Sequence, residues 1–272
     1  SKGNQNGIFG YGETPSTTGV TNIVSNAGVV ATDVTGVGTA RLALAGCEYG
    51  GDKGIFGYGN TSGPTTRVAT TNLVTNAGVV GADVAGVGTV RRNVAGIGYG
   101  GDKGIFGFGN AAVPTSDVSL TNLISNTGVV GADVSGVGTA RNLLSGCEYG
   151  GDKGIFGYGQ ASSSPSSLTN LVSNTGVVAS DVTGVGTARG YTAACGFGYD
   201  KGIFGYGYVS GDLSLTNLVS NAGVVATDTT GVGTARRSLA ATQYGGDKGI
   251  FGYGESPYFS LTNKVSNAGV VA

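Results

Sequence analysis

Charged residues recur at fixed positions along this chain, and they are the residues whose types could do chemistry. The sequence repeats one aspartate, one arginine and one adjacent Asp-Lys pair, each five times. The aspartates are Asp33, Asp83, Asp133, Asp181 and Asp228, and the arginines are Arg41, Arg91, Arg141, Arg189 and Arg236. The pairs are Asp52-Lys53, Asp102-Lys103, Asp152-Lys153, Asp200-Lys201 and Asp247-Lys248. Equivalent positions in equivalent repeats predict rings of charge.

These rings admit three interpretations. Asp and Arg can pair within or between repeats through bidentate bonds that lock the register of stacking, which we favour. Alternatively, one ring lines a central channel and binds an ion or an anionic ligand. A catalytic carboxylate pair is the third interpretation, but glycosidase carboxylates need two distinct environments, which a symmetric ring does not offer.

The chain has no histidine, which excludes histidine-dependent triads, histidine zinc sites and imidazole bases. We therefore predict no enzymatic activity, no catalytic or metal-binding residues and no cofactor.

The elements that position these charges are themselves repeated. Gly-Ile-Phe-Gly-Tyr-Gly begins at residue 7 and returns, once with Phe for Tyr, at 54, 104, 154, 202 and 249. A period near 48 residues indicates a repeat architecture in which each unit needs its neighbours to bury its apolar face. We predict one repeat domain over 1–272, with repeats at approximately 1–53, 54–103, 104–153, 154–201, 202–248 and 249–272, the last incomplete.

Each repeat predicts four strands, which the third and fourth copies illustrate. The candidates are 141–149, 153–158, 120–125 and 129–134, separated by Gly-Gly-Asp or Asn-x-Gly turns. Four-stranded antiparallel units of this length predict an all-β fold, a six-bladed β-propeller. The alternative is a β-solenoid or a fibre-like repeat.

One strand is missing from this count. The chain supplies six second and six third strands but only five first strands, and 1–6 is a candidate for the absent one. Because the chain lacks an initial Met and its last repeat stops halfway, we expect a piece of a longer protein. Whether the ring closes within one chain stays open.

Composition limits the partners. With 55 Gly, 11 % charged residues and a net charge of -1, the chain is typical of a folded, turn-rich β protein without a basic surface. We expect no nucleic acid and no membrane insertion. Cys47, Cys147 and Cys195 occupy one position in three copies, too far apart for disulfides.

The segment Tyr-Gly-Gly-Asp-Lys-Gly-Ile-Phe-Gly-Tyr-Gly at 149–159, with Thr-Ala-Arg upstream and Asn-x-Gly downstream, resembles a degenerate kelch-type propeller blade. Kelch blades place the glycine pair after the second strand and carry a Trp, whereas this chain has Gly-Gly before that strand and no Trp. The same segment and 173–189 are also similar to repeats of tailed bacteriophage proteins. That resemblance implies a virion or tail-associated, extracellular setting, while localisation itself stays unknown.

The stretch after each Gly-Tyr-Gly is the candidate for recognition. It varies in length and content, at 13–19, 60–67, 110–117, 160–166, 208–212 and 255–259, which is typical of surface loops that bind on a constant scaffold. Candidate recognition residues are Tyr208, Asp212, Tyr258 and Phe259. The Phe-Gly-Tyr aromatics are predicted core, or alternatively stacking sites for sugars.

We therefore expect a non-enzymatic binding or display scaffold, a phage-like virion or tail-fibre component that recognises a host-surface ligand. The expected partners are a host-surface glycan or other virion proteins, and homo-oligomers remain open. A purely structural filament or virion-wall protein is the alternative, and a propeller glycosidase or lyase is a remote one.

Overall fold

The fold is all-β, as predicted, and the described residues contain no helix. The structure is a computed structural model that describes residues 5–61 and 66–272. Positions 62–65 of the second variable stretch, and 1–4 of the segment considered for the missing strand, lie outside the described residues.

Six principal sheets follow one another along the chain. Sheet 1 consists of β1 (Gly7–Glu13) and β2 (Thr17–Val24), and sheet 2 of β3 (Ala45–Tyr49), β4 (Lys53–Gly57) and β5 (Thr71–Val74). Sheet 3 consists of β7 (Ala95–Tyr99), β8 (Lys103–Gly107) and β11 (Thr121–Ile124), and sheet 4 of β12 (Ser145–Tyr149), β13 (Lys153–Gly157) and β16 (Thr169–Val172). Sheet 5 consists of β17 (Ala193–Phe197), β18 (Lys201–Tyr208) and β19 (Asp212–Val219), and sheet 6 of β20 (Ala240–Tyr244), β21 (Lys248–Gly252) and β22 (Thr262–Val265).

Short strands cross-link the variable loops. β6 (Arg91–Arg92) pairs with β9 (Asn110–Ala111), which pairs with β10 (Ser116–Asp117), and β14 (Gln160–Ala161) pairs with β15 (Ser164–Pro165). All these pairings are antiparallel.

The prediction of four strands per unit is wrong in its fourth strand. Sheets 2 to 6 have three strands, and the predicted fourth segment, 129–134 in sheet 3, makes only isolated bridges at Val130 and Val134. Side chains take over from the backbone ladder here, because Asn122 donates its amide to Gly131 O and to Asp133. Within the described ranges, sheet 1 has two strands and no first strand.

Left-handed backbone shortens two other predicted strands. Tyr158 has φ of 64°, so the second strand ends one residue before its predicted end. Leu143 has φ of 56°, and the first strand accordingly begins at Ser145 rather than at Arg141. Side-chain-bearing residues adopt this conformation at a cost, so the surrounding contacts must hold it in place.

The core lies between adjacent sheets. The ring of Tyr158 in sheet 4 packs edge-on against Phe204 of sheet 5, with ring centroids 5.1 Å apart. Phe204 fits because a Cβ at Gly157 would lie 2.7 Å from its ring, so glycine is required there. The same edge-on pairing joins Tyr11 to Phe56, Tyr58 to Phe106, Phe108 to Phe156, Tyr206 to Phe251 and Tyr253 to Phe9.

The last of these pairs joins sheet 6 to sheet 1. Phe9 and Tyr253 have ring centroids 5.3 Å apart, and β20 contacts β1. The amide of Gly245 donates to Gln5 O at 2.7 Å, the same bond that Gly50 makes to Asp102 O one sheet on. Sheet 6 thus contacts sheet 1 through an aromatic pair and a backbone hydrogen bond.

Candidate functional site

The repeated arginine is a buried structural centre rather than a free cation. Arg91 is fully buried and donates from Nε to Phe108 O at 2.9 Å and from Nη2 to Asn122 Oδ1. Its Nη1 lies 3.5 Å from Asp133 Oδ1, and its guanidinium lies over the ring of Tyr58, 4.4 Å from the centroid. Each arginine therefore links its own sheet to the aromatic of the preceding one.

Four Arg–Asp pairs form, and each lies within one structural sheet unit. They join Arg41 to Asp83, Arg91 to Asp133, Arg141 to Asp181 and Arg189 to Asp228 at 3.3 to 3.8 Å. Asp33 and Arg236 are the two members of the predicted rings that this pairing leaves over. Asp33 accepts from Asn22 at 2.8 Å, and Arg236 donates to Tyr253 O at 2.7 Å and to Thr234 O at 3.0 Å.

The electrostatics of this centre favour permanent charge. Burial by itself raises the pKa of Asp133, but hydrogen bonds from Thr89 and Asn122 and the charge of Arg91 bring it below its ordinary value. Burial raises the pKa of Tyr58 to about 12, so its hydroxyl stays protonated and donates to Val87 O. Neither group is available as an acid or base near neutral pH.

The Asp-Lys pairs lie at the exposed turns between first and second strands. Lys53 Nζ lies 3.1 Å from Asp52 Oδ1, and Asn76 donates to the other carboxylate oxygen. The hydrogen bond from Lys53 lowers the pKa of Asp52. Surface pairs of this kind contribute little to stability.

A cavity of about 810 Å³ lies along the first strands of sheets 2 to 6. Its lining includes Cys47, Cys147 and Cys195, which are free thiols as predicted. Burial raises the pKa of Cys195 to about 12, so the reactive thiolate is strongly disfavoured. Among the described residues, no three His, Cys, Asp or Glu side chains lie together in a way that could hold a metal.

The mouth of this cavity carries residues that differ from copy to copy. The second residue after each repeated arginine lines the cavity and has φ between 54° and 58°. These five equivalent positions hold Ala43, Asn93, Leu143, Tyr191 and Ser238. A constant strained backbone thus presents five different side chains, and such strain is concentrated at functional sites.

The variable loops lie beside these residues. The residue directly after each arginine makes antiparallel bridges with the loop that follows the Gly-Tyr-Gly of its own sheet. The bridges join Leu42 to Asn60, Asn142 to Gln160, Gly190 to Tyr208 and Arg237 to Glu255. We call this assembly of loops and post-arginine dipeptides the variable face.

The richest cluster of the variable face surrounds Arg237. Its guanidinium lies over the ring of Tyr208, 4.5 Å from the centroid, and Nε lies 3.8 Å from Asp212 Oδ1 and 3.3 Å from Glu255 Oε1. Tyr191 packs edge-on against Tyr208 at 6.3 Å. A cation held between two carboxylates and beside two aromatic rings provides both the stacking surface and the hydrogen-bonding groups that polar ligands require.

A second cluster holds the neighbouring loops together. Asp117 accepts from Asn110 at 2.8 Å, from Asn142 at 2.6 Å and from the amide of Ser162 at 3.1 Å. These bonds connect loops of two sheets and reduce their freedom before any ligand arrives.

The predicted recognition residues fall into two groups. Tyr208 and Asp212 lie together at Arg237, whereas Tyr258, 52 % exposed, and the half-buried Phe259 line the cavity nearer sheet 1. Sequence reasoning missed Arg237 and Tyr191. The available signal was the variation of the two residues after each arginine, which read Leu-Ala, Arg-Asn, Asn-Leu, Gly-Tyr and Arg-Ser.

Comparison with known proteins adds no relative. No protein-family model matches the sequence, and no curated protein matches it. In the part of the chain that the structure describes, no helix is long and apolar enough to cross a membrane.

Proposed function

We propose that the chain is a six-bladed β-propeller that acts as a non-enzymatic binding and display module. The contacts of each sheet with the next, the contact of sheet 6 with sheet 1 and the cavity bordered by the first strands support this architecture over a solenoid. Blade 1 is the two-stranded sheet, and the Phe9–Tyr253 contact joins it to blade 6.

One observation carries the binding function. Residues that repeat are bonded to one another inside the scaffold, as Arg91 is to Asn122, whereas the varying second residue after each arginine lines the cavity and the residue before it bridges to a variable loop. A scaffold that holds its constant charges internally and presents its variable ones outward is suited to recognition.

The ligand class follows from the Arg237 cluster. Tyr191 and Tyr208 offer ring surfaces, while Arg237, Asp212 and Glu255 offer charged donors and acceptors. This combination suits a carbohydrate, whose faces are apolar and whose edges carry hydroxyls. The resemblance of the repeats to tailed-phage proteins suggests that the carbohydrate belongs to a host surface and that the chain is part of a tail fibre or similar virion element.

A glycan array followed by calorimetric titration tests this function. We expect Arg237→Gln and Tyr208→Ala each to weaken the selected glycan at least about tenfold, equivalent to about 1.4 kcal/mol. Arg92→Gln is the matched control, because Arg92 follows the repeated arginine of sheet 3 as Arg237 follows that of sheet 6. Failure of every glycan to bind, or equal loss in all three variants, would contradict the proposal.

A structural role is the second candidate, and exposed valines favour it. The residue after each Asn-x-Gly turn is a valine between 61 and 66 % exposed, at Val29, Val79, Val129, Val177, Val224 and Val270. Repeated apolar positions at a surface can mediate contact between copies. Regular polymers seen by negative-stain microscopy, without glycan binding, would favour this candidate over the first.

A further inference from the structure

Sheet 1 has a backbone edge that no described residue pairs with, where the other sheets have a strand. In sheet 2, β4 pairs with β3 on one side and with β5 on the other, so both edges of the segment Gly54–Gly57 are used. The equivalent segment of β1, Gly7–Gly10, pairs with β2 alone among the residues that the structure describes, and the segment lines the cavity. Exposed strand edges are templates for a further strand.

The polar groups at the same junction lack the partners that other copies have. Arg236 Nη2 is buried and has no hydrogen-bond partner in residues 5–61 and 66–272. In sheet 2 the equivalent nitrogen of Arg41 donates to Asn72 Oδ1 at 2.7 Å, and Asp83 lies 3.6 Å from Nη1. An unpaired buried donor of a charged group is costly, so this position favours an incoming acceptor.

Tyr253 and Asp33 differ from the equivalent residues of other sheets in the side chains that contact them. In the preceding sheets the aromatic residue equivalent to Tyr253 lies under an arginine, as Tyr206 lies 4.5 Å from the guanidinium of Arg236. Within the described residues Tyr253 lies under no arginine, and its hydroxyl donates to no carbonyl. Asp33 accepts a hydrogen bond from the side-chain amide of Asn22, and no threonine of the described residues donates to it. Asp83, by contrast, also accepts hydrogen bonds from the backbone amide and the hydroxyl of Thr39.

One stretch of the repeat carries the missing aspartate, threonine, arginine and first strand in the required order, while Asn263, the equivalent of Asn72, already lies on β22. Between sheets 2 and 3 it runs over 82–102, with Asp83, then Thr89 and Arg91, then the first strand ending at Tyr99. Placed by equivalence at the junction of sheets 6 and 1, its aspartate would face Arg236, its threonine and arginine would face Asp33 and Tyr253, and its strand would pair with Gly7–Gly10.

We propose that the junction of sheets 6 and 1 is a docking site for one extended segment of this kind, supplied by another polypeptide. The segment carries Asp, Arg and an aromatic residue at eight-residue intervals, as Asp83, Arg91 and Tyr99 do. It binds by adding a strand to β1 and by pairing its acidic end with Arg236 and its basic centre with Asp33. This inference depends on the contact between sheets 6 and 1 and not on the glycan function.

A labelled synthetic peptide with the sequence of 82–102 tests the site on the unaltered chain. We expect saturable binding of one peptide per chain, measured by fluorescence anisotropy, and a midpoint temperature of unfolding that rises with peptide concentration. The same peptide with Asp83→Asn should bind about tenfold more weakly, and so should the peptide with Arg91→Gln. A peptide of the same composition in scrambled order should not bind.

A double-mutant cycle locates the contact. On the Arg236→Met chain, the peptide with Asp83→Asn should bind as well as the unchanged peptide, because the partner of that aspartate is gone. Absence of binding would overturn the proposal, including absence because the chain's own residues or a second copy already occupy the edge. Equal binding of the scrambled peptide, or equal sensitivity to Asp83→Asn with and without Arg236, would overturn it as well.

Discussion

Two junctions between sheets use the same aromatic contact and differ in the polar side chains around it. Between sheets 4 and 5, Tyr158 packs on Phe204 at 5.1 Å and Arg189 lies over Tyr158 at 4.3 Å. Between sheets 6 and 1, Tyr253 packs on Phe9 at 5.3 Å, and no arginine of the described residues lies over it. The aromatic contact therefore forms without an arginine over the tyrosine ring. That arginine and its hydrogen bonds depend on the segment that connects one sheet to the next.

The largest expected difference concerns the arginine itself. Arg189 donates hydrogen bonds to Tyr206 O, Thr187 O and Asn217 Oδ1 and forms an ion pair with Asp228. Among the described residues, Arg236 donates hydrogen bonds only to the two equivalent backbone carbonyls, Tyr253 O and Thr234 O. We expect Arg189→Met to lower the free energy of unfolding by about 3 kcal/mol, because it leaves buried partners unsatisfied. Arg236→Met should cost about 1 kcal/mol or less, because it removes a buried charge that is already poorly paired.

Urea denaturation of both variants measures this difference. Both variants lose a guanidinium that lies over a tyrosine ring, so the difference between them isolates the remaining polar contacts. Equal losses in the two variants would show that the aspartate and asparagine contribute nothing to the arginine centre.

A smaller difference should separate the tyrosine hydroxyls of the same junctions. Tyr158 donates its hydroxyl to Val185 O at 3.1 Å, while Tyr253 has no such acceptor in the described part of the chain. We expect Tyr158→Phe to cost about 1 kcal/mol of unfolding free energy and Tyr253→Phe to cost almost nothing. A loss in Tyr253→Phe as large as in Tyr158→Phe would mean that the hydroxyl of Tyr253 has a partner.

Periodicity was enough to predict the all-β class and the central strands. The second strand was predicted over 153–158 and lies at Lys153–Gly157, because Gly-Ile-Phe-Gly fits only a strand that approaches its neighbour closely. The prediction of a fourth strand was wrong because the Asn122 side chain bonds to Gly131 O and to Asp133 in that segment. Strand periodicity does not record such side-chain hydrogen bonds. The local sequence pattern therefore predicts backbone hydrogen-bond ladders well and side-chain hydrogen bonds poorly.

The candidate site was only partly predictable. Variation in loop length and content led to Tyr208 and Asp212, but their partner Arg237 lies at least 25 residues away in the sequence. Its role depends on an isolated bridge to Glu255 and on the left-handed backbone at Ser238. Neither feature has a sequence signature of its own, so only the difference among copies pointed to it.

We expect sheets 6 and 1 to be neighbours in solution. Ala27 and Ala268 are exposed residues in the turns that follow β2 and β22, the last strands of these two sheets. Thr127 and Thr175 are the equivalent exposed residues of sheets 3 and 4, which adjoin one another along the chain. They provide a matched control pair.

Electron–electron double resonance between spin labels tests the claim directly. Labels are attached to cysteines introduced at 27 and 268, or at 127 and 175, after each native cysteine is replaced by threonine, the residue that Thr242 provides at that position. Cyclic contact predicts the same principal distance for both pairs. A much longer distance between 27 and 268 than between 127 and 175 would show that the sheets form an open array, and would contradict the account.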